Sequence, residues 1–575
     1  MASYAVDTRA EENNYHGQDF VSRTSLLGLP AELIQHVLSF LDPFDLANTA
    51  QTCRSLLGPA YDDQIWQPFV TQNLHRAIAT PAPLKSFRDL YIAHNPHWFL
   101  TRSRIWFGDS EPSGKLLLTR YNEQEGCMEA YTVVAQRGTH RLSFWEKDRE
   151  VIIHSFDPKV SLDLHQPVIK LNIDSPKAKD PPNDYPSSRS YAPESQCSRE
   201  TLMHTFAESG LYSSFMLCRT LPDTAISPGS YVWPPLRFPA SGRTRNVSHD
   251  GYSSSGHRPS RHSEVSQTNF RLRKWVEYTG RRTSPNLITF NHGGLSAALG
   301  MNVPFFGSGS RANGGGNIWR MPEDITTYAT LPESAYLPTP QKPWQGIWCG
   351  DYSGHGCEFL VITQPDRGTE NPLPQGMDWL RQWFKSGRRE SSSSTSSFVS
   401  AVEQQLEDVE YHTGLPVHFQ SDEKEAAFNA SSSAAAAAYG ADDVPSGRLE
   451  AIKLTGDINV PRGEYTFIAP DIGPGGFMRV ADEETFAGAR IVRSAGHIAS
   501  RGFRAGKPSK KDLLNRNRDT DDLLLKDQYT PSQLIMISHD RLAQFWEGFG
   551  HISYYQRVDL DKLMDFQGPA QSQQH

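Results

Sequence analysis

Leu29-Pro30-Ala31-Glu32-Leu33-Ile34-Gln35-His36-Val37-Leu38-Ser39-Phe40-Leu41-Asp42-Pro43-Phe44-Asp45-Leu46 decides how the chain begins to fold. Leu29, Leu33, Val37, Leu38 and Leu41 recur at three- and four-residue intervals, a helical stripe with Pro30 at an early-helix position, where its missing N–H costs nothing. Asp42-Pro43-Phe44-Asp45 closes that helix and opens another. Asp42 can accept from free backbone N–H groups, Pro43 needs no donor in the first turn, and Asp45 favours the positive helix end. A third helical stretch carries Cys53, Leu56, Leu57, Ile65 and Trp66, with Gly58-Pro59 as the natural place for a break. A helical module of about 45 residues cannot bury all of its apolar side chains internally, which is the physical reason it wants a partner surface.

Past a short helical reading from Leu84 to Ala93 the grammar changes. Apolar residues come in strand-length runs separated by turn residues: Lys115 to Thr119, Tyr131 to Ala135, Glu150 to His154 and Val168 to Ile173. In the last of these Ile169, Leu171 and Ile173 fall on one face and Lys170 and Asn172 on the other, as a half-buried strand requires. The style returns in Gly346 to Thr363, Glu450 to Thr455, Glu464 to Ile468, Gln533 to Ser538 and His551 to Val558. The expectation is an α+β multidomain chain: a small three-helix module, then a mostly antiparallel, barrel-like β domain with long disordered inserts.

Between these pieces lie polar stretches that cannot bury enough apolar surface to offset ordering entropy: Ser175 to Gln196, Ala240 to Gln267, Ser386 to Ser400, Ser421 to Gly447 and Ala505 to Asp522. The division expected is a tail over 1–23, the helical module over 24–70, and the first part of the β domain over 84–174. A helical and disordered insert follows over 175–285. The β domain continues over 286–364, a Ser/Ala-rich insert fills 365–447, the β domain ends over 448–563 with a loop at 505–522, and 564–575 is a tail. Long inserts are tolerated because closure entropy grows slowly with loop length.

Composition narrows the function classes. Lys and Arg number 57 against 65 Asp and Glu, a formal charge of −8. That total offers no basic excess for nucleic acid or any other polyanion. Hydrophobic residues are 37% of the chain, and counting Gly in place of Tyr raises this only to about 41%, below the roughly 45–50% usual for globular chains. No apolar run is long enough to span a bilayer and Met1 to Asn14 is polar, so neither a membrane span nor a secretory signal is expected. Six cysteines (Cys53, Cys127, Cys197, Cys218, Cys349 and Cys357) form no CxxC pair, which points to a reducing compartment, cytoplasm or nucleus.

Signatures of catalysis are missing. There is no HExxH, DxDxDG or paired CxxC. Cys349, His355 and Cys357 flank a strand turn, but three such residues without an obvious fourth ligand read as ordinary strand residues. Gly307-Ser-Gly309-Ser-Arg-Ala312 lacks the helix that must follow a phosphate loop. Gly502-Phe-Arg-Ala-Gly506-Lys507 has the wrong spacing and Pro508 where a hydroxyl belongs, and His292-Gly293-Gly294 has no GxSxG elbow to serve.

The spaced pattern Leu29-Pro30, Leu33, Val37-Leu38, Leu41-Asp42-Pro43, Leu46, Cys53-Arg54 and Trp66 resembles an F-box, with Gln67 where a Lys is common. Gly346-Ile-Trp-Cys-Gly-Asp-Tyr-Ser-Gly-His-Gly356-Cys-Glu358, then Ala451-Ile-Lys-Leu-Thr-Gly456-Asp457-Ile-Asn459-Val-Pro461-Arg-Gly463, looks like the substrate-binding domain of the cyclin-D-binding F-box family. Ala495 to Phe503 and Leu534 to Val558 fit the end of that domain. The chain departs at Ser500-Arg501, where the family tends to have Gly-His, and no Cys/His set matches the zinc site of animal members, so no metal or cofactor is expected.

The resemblance implies a non-catalytic substrate receptor of an SCF-type ubiquitin ligase. The F-box would hold a Skp adaptor, and through it cullin and RING subunits, by Leu29, Pro30, Leu33, Val37, Leu38, Leu41, Pro43, Leu46, Cys53 and Trp66. The β domain would capture the degron of a protein substrate, a C-terminal tail among the options, for ubiquitination and proteasomal degradation. The positions matched for that pocket are Trp348, Tyr352, His355, Glu358, Thr455, Asp457 and Asn459. Asp457 has two readings: its carboxylate accepts N–H bonds from a peptide or amide terminus, or it bonds the backbone of its own turn. Gly354 and Gly356 likewise read as a tight turn or bulge beside His355 and Glu358. Two other classes stay open: a ligand-binding or hydrolytic barrel that carries the F-box as an assembly handle, and an F-box protein that binds the adaptor without a cullin. Arg281-Arg-Thr-Ser284 and Arg388-Arg-Glu-Ser391 are candidate phosphorylation sites.

Overall fold

The computed structural model describes residues 26–108, 110, 113–139, 141–173, 200–203, 205, 211–220, 233–235, 237–240, 259, 261–279, 318–320, 324–351, 356–374, 376–377, 379, 446–456, 460–499 and 527–565. Two compact units are present, Met1–Ala93 and His94–His575. All five of the expected polar inserts fall largely or wholly outside the described residues, as do both candidate phosphorylation sites.

The first unit is built from α1 (Ala31–Leu38), α2 (Pro43–Thr52), α3 (Arg54–Ala60) and α4 (Asp63–Thr71), with α5 (Phe87–His94) at its end. Asp42 caps α2 by accepting from the Asp45 N–H at 2.8 Å, with Pro43 at the first helical position. Asp62 does the same for α4 through the Gln64 N–H. The third expected helix is therefore two. Gly58-Pro59 does not break it: α3 runs through Pro59 to Ala60, and the chain turns at Tyr61 before the Asp62 cap restarts it. A proline near a helix end forfeits one backbone bond, whereas a capping carboxylate supplies a new start. Ile34, Leu38, Leu46, Ala50, Leu56, Ala60, Ile65, Trp66 and Val70 are buried, and the Trp66 indole donates to the Ala60 carbonyl at 2.8 Å.

The second unit adds α6 (Phe99–Arg102), α7 (Leu560–Met564) and the strands. In chain order these are β1 (Ile105–Gly108), β2 (Lys115–Asn122), β3 (Cys127–Gln136), β4 (Leu142–Phe144), β5 (Ile152–His154), β6 (Lys159–Asp163), β7 (Ile169–Asn172), β8 (Thr201–Met203), β9 (Leu211–Arg219), β10 (Val265–Thr279), β11 (Ile318–Arg320) and β12 (Asp324–Ala329). They continue with β13 (Gly346–Asp351), β14 (Cys357–Thr363), β15 (Leu449–Lys453), β16 (Tyr465–Ala469), β17 (Phe477–Val480), β18 (Arg490–Ile498), β19 (Gln528–Met536), β20 (Arg541–Trp546) and β21 (His551–Arg557). One sheet runs β6-β3-β2-β1-β12-β10-β9-β8, with β7 on β3 and β11 on β10. The other runs β13-β14-β15-β16-β18-β19-β20-β21, and β13 pairs with β21 through Trp348↔Arg557, Cys349↔Gln556 and Gly350↔Tyr555. Eight antiparallel strands thus close into a barrel, which leaves no unpaired edge along that ring.

The β domain assembled from distant pieces is one compact unit, an antiparallel sheet and a closed barrel, and one expectation changes. Only β5, parallel to β21 at His551↔Ile152 and Ile552↔Ile153, carries β4 across to the barrel. The insert expected to be helical over 175–285 contains β8, β9 and β10. Its β9, Leu-Tyr-Ser-Ser-Phe-Met-Leu-Cys-Arg, is buried along nearly its whole length. A strand buried on both faces has no polar alternation to announce it and is easily read as a helix.

Side chains alternate between two clusters along the barrel strands, apart from a register shift between β15 and β16. Trp348, Leu360, Ile362, Ala451, Phe467, Val492, Leu534, Met536, Leu542 and Tyr555 form one cluster drawn from the barrel strands, which is the filled lumen. Their neighbours Ile347, Cys349, Phe359, Val361, Ile452 and Ile491 belong to a second cluster with Phe107, Tyr131, Trp145 and Phe156, which is the outer face covered by the other sheet. At eight strands a barrel interior is just wide enough for side chains to fill.

Candidate functional site

Of the ten residues assigned to adaptor contact, the structure makes three groups. Pro30, Leu33 and Val37 are exposed, Leu33 by 50% and Val37 by 43%, one helical turn apart on α1. Leu29, Leu41, Pro43 and Cys53 are half-buried. Leu38, Leu46 and Trp66 are buried inside the module itself, where they hold α1, α2 and α4 together rather than face outward. The sequence reading missed Phe40 and Phe44, exposed by 77% and 74%, and Leu26, Leu27 and Leu57, also exposed. Phe40 and Phe44 lie off the apolar stripe, flanking the Asp42-Pro43 turn. Large aromatics on a helix's polar side were the signal that could have found them.

In the barrel, antiparallel order brings four connections to one end: β13 to β14, β15 to β16, β18 to β19 and β20 to β21. Of the seven residues assigned to substrate binding, Trp348, Glu358 and Thr455 are described, on or just beyond β13, β14 and β15. Tyr352, His355, Asp457 and Asn459 lie outside the described residues. Trp348 is fully buried in the lumen and its indole donates to the Trp344 carbonyl at 3.1 Å, so it supports the barrel from within. Glu358 is also internal, where its carboxylate is ion-paired with the fully buried Lys453 ammonium. Thr455 accepts from the Phe359 N–H at 2.8 Å and extends the β14–β15 pairing beyond its last strand residue. Glu358 and Thr455 therefore hold the rim's shape, while Trp348, opposite Arg557 at the end of β21, braces the other end of the barrel.

Polar groups continue inward from this rim. The Ser494 and Ser532 hydroxyls are 2.8 Å apart, Gln544 donates to Ser532 at 3.0 Å, and the Tyr555 hydroxyl donates to Gln544 at 3.0 Å. The Trp546 indole donates to Ser553 at 3.2 Å. Satisfied buried networks of this kind rigidify a core, and here they sit beneath the connections. Asp351, at the rim end of β13, is 3% exposed and pairs with Arg137 at 2.6 Å. Gly456 hydrogen-bonds through its N–H to the Ser113 carbonyl at 2.8 Å, and a Cβ there would come 2.8 Å from the Arg462 side chain. Gly463, at φ +80°, adopts the left-handed conformation that glycine tolerates best.

Cys349 and Cys357 sit on the outer face of β13 and β14. Their thiols are hydrogen-bonded to each other, which pushes the Cys349 thiol up and the Cys357 thiol down. His355, the third residue of that sequence group, is outside the described residues.

Comparison with known proteins agrees with this division. The family model described as F-box-like matches residues 26–72, which contain α1 to α4. The model described as Cyclin D1 binding domain matches residues 328–562, which contain the whole barrel. No curated protein matches the chain.

Proposed function

We propose that this chain, an F-box protein of the cyclin-D-binding F-box type, uses the rim of its barrel to capture the degron of a protein substrate for ubiquitination. The F-box supports a general SCF substrate-recognition role and binding of the Skp adaptor. Such proteins are typically non-catalytic adaptors. The cullin and RING partners, the degron and the proteasomal fate of the target are part of the proposal.

The observation that carries it is the gathering of four connections at one barrel end, above a lumen already filled by Trp348, Phe467, Leu534 and Tyr555. A filled lumen directs a ligand to the rim, and a rim of loops on a closed barrel suits a short extended peptide better than an enclosed small molecule. A C-terminal tail fits the length of such a surface. The F-box side rests on Leu33, Val37, Phe40 and Phe44, each worth roughly 1.5–3 kcal/mol of gross burial, enough together to offset association losses. The complex then works by proximity: a target lysine held near a charged ubiquitin carrier reacts at high effective concentration.

The test is affinity purification of the wild type beside two variants, Leu33→Ala/Val37→Ala/Phe40→Ala and Asp457→Ala/Asn459→Ala, with mass spectrometry. Adaptor and cullin should vanish with the first and persist with the second, while candidate substrates behave the opposite way. Substrates retained equally by both variants would overturn the rim assignment, and no adaptor with the wild type would overturn the receptor reading.

A further inference from the structure

At the same end of the barrel three ligating side chains meet from three separate places in the chain. Glu464 precedes β16, His497 lies near the end of β18, and Asp527 precedes β19. One donor atom from each lies within 4.8 Å of the others. Glu464 and His497 are 5% and 1% exposed, and the Asp527 side chain is 36% exposed and so open to solvent.

The imidazole is held in one orientation. Its Nδ1 is 2.8 Å from the Tyr465 carbonyl oxygen, which can only accept, so Nδ1 carries the proton. Its plane is stacked on Tyr529, with centroids 4.7 Å apart and 10° between planes. Nε2 has no hydrogen-bond partner; the nearest carboxylate oxygen, Asp527 Oδ2, is 3.6 Å away. In the neutral ring that nitrogen presents a lone pair toward two carboxylates, one buried on Glu464 and one partly open to solvent on Asp527. Lone pairs facing carboxylates repel unless something positive sits between them.

We propose that Glu464, His497 and Asp527 bind a divalent first-row transition cation, Zn²⁺ being the best fitted. Donors of a tetrahedral shell with bonds of about 2.0–2.2 Å stand roughly 3.4 Å apart, close to the 3.6 Å between Nε2 and Oδ2. A ligating histidine that donates its other ring N–H to a backbone carbonyl is the usual way such a ligand is oriented. One nitrogen and two oxygens suit zinc over calcium or magnesium, and leave a fourth position for water or a ligand. The ion clasps the ends of β16, β18 and β19 at the rim, whatever ligand the barrel captures.

Purified full-length protein is stripped with chelator, dialysed, and titrated with Zn²⁺ by calorimetry and thermal melting, with Co²⁺ absorption reporting the coordination shell. The expected result is one equivalent bound with a raised melting temperature, and binding at least tenfold weaker in Asp527→Asn. That residue is exposed enough for the variant to fold without the ion. A Cys127→Ser variant, which disrupts the other described candidate cluster (Glu125, Cys127 and Glu129), should bind as the wild type does. No stoichiometric uptake would overturn the proposal. So would uptake unchanged by Asp527→Asn, or lost in Cys127→Ser.

Discussion

Trp546 lies across Gly496: a Cβ on that glycine would come 2.1 Å from the indole ring. The ring covers the β18 backbone where it pairs with Thr530, and its N–H is committed to Ser553, so it has nowhere to retreat without losing a buried hydrogen bond. Gly496→Ala should therefore destabilise the barrel by about 1–3 kcal/mol, the cost of overpacking a filled core. Chemical denaturation checks this; a loss under 0.5 kcal/mol would mean that the indole moves freely.

Glu358 and Lys453 make a sharper case. Both ends of this ion pair are buried, so removing one deprives the other buried charge of its ion-pair neighbour. Glu358→Leu alone is expected to cost about 3–5 kcal/mol, whereas Glu358→Leu with Lys453→Met should recover most of it. Urea unfolding of the two single variants and the double variant tests the coupling. Additive losses would show that each residue acts alone.

On the F-box, Val37→Asp should lower adaptor affinity at least tenfold while changing stability by no more than a surface substitution does, about 0.5 kcal/mol. Trp66→Ala should do the reverse in kind, costing about 3–5 kcal/mol and losing the adaptor only because the module unfolds. Circular dichroism beside a binding assay separates the two. Equal destabilisation by both would contradict the exposure of Val37.

Acid should weaken the larger unit through two buried histidines. Burial lowers His94 to about 4, against the bond to the Gly126 carbonyl that favours the charged form, and lowers His551 to about 4 through burial and the nearby Arg137 charge. Each titrates near 6.5 when unfolded, so the unfolded chain binds more protons between pH 6.5 and 4. The stabilisation is whole above pH 6.5 and is lost as pH falls toward 4. Denaturation midpoints measured from pH 7.5 to 4.5 should fall, and the His551→Gln variant should show a shallower slope. An unchanged slope would locate the proton uptake elsewhere.

Much of the architecture could be read from spacing. The three- and four-residue apolar intervals from Leu29 to Leu41, the Asp42-Pro43 cap and the alternation around Ile169, Leu171 and Ile173 are local signals, because helix and strand periods are properties of neighbouring residues. The antiparallel barrel character followed from the same kind of pattern, whereas Trp348, Glu358 and Thr455 were singled out only by the family resemblance. β9 escaped because burial on both faces erases alternation, and Phe40 and Phe44 escaped because exposure is not a property of a residue's type.

What the tertiary structure alone decided are relations between distant parts of the chain. Whether Leu38 faces the module's core or Leu33 faces solvent depends on how α1 packs against α3, not on their shared stripe. That Glu358 meets Lys453, 95 positions on, follows from the β14–β15 pairing. That Glu464, His497 and Asp527 converge follows from the pairing of β18 with both β16 and β19, which sets their ends side by side irrespective of their separation in sequence. A local pattern carries the period of an element. Only the closed ring of hydrogen bonds determines which elements' ends share a rim, and hence where binding chemistry can assemble.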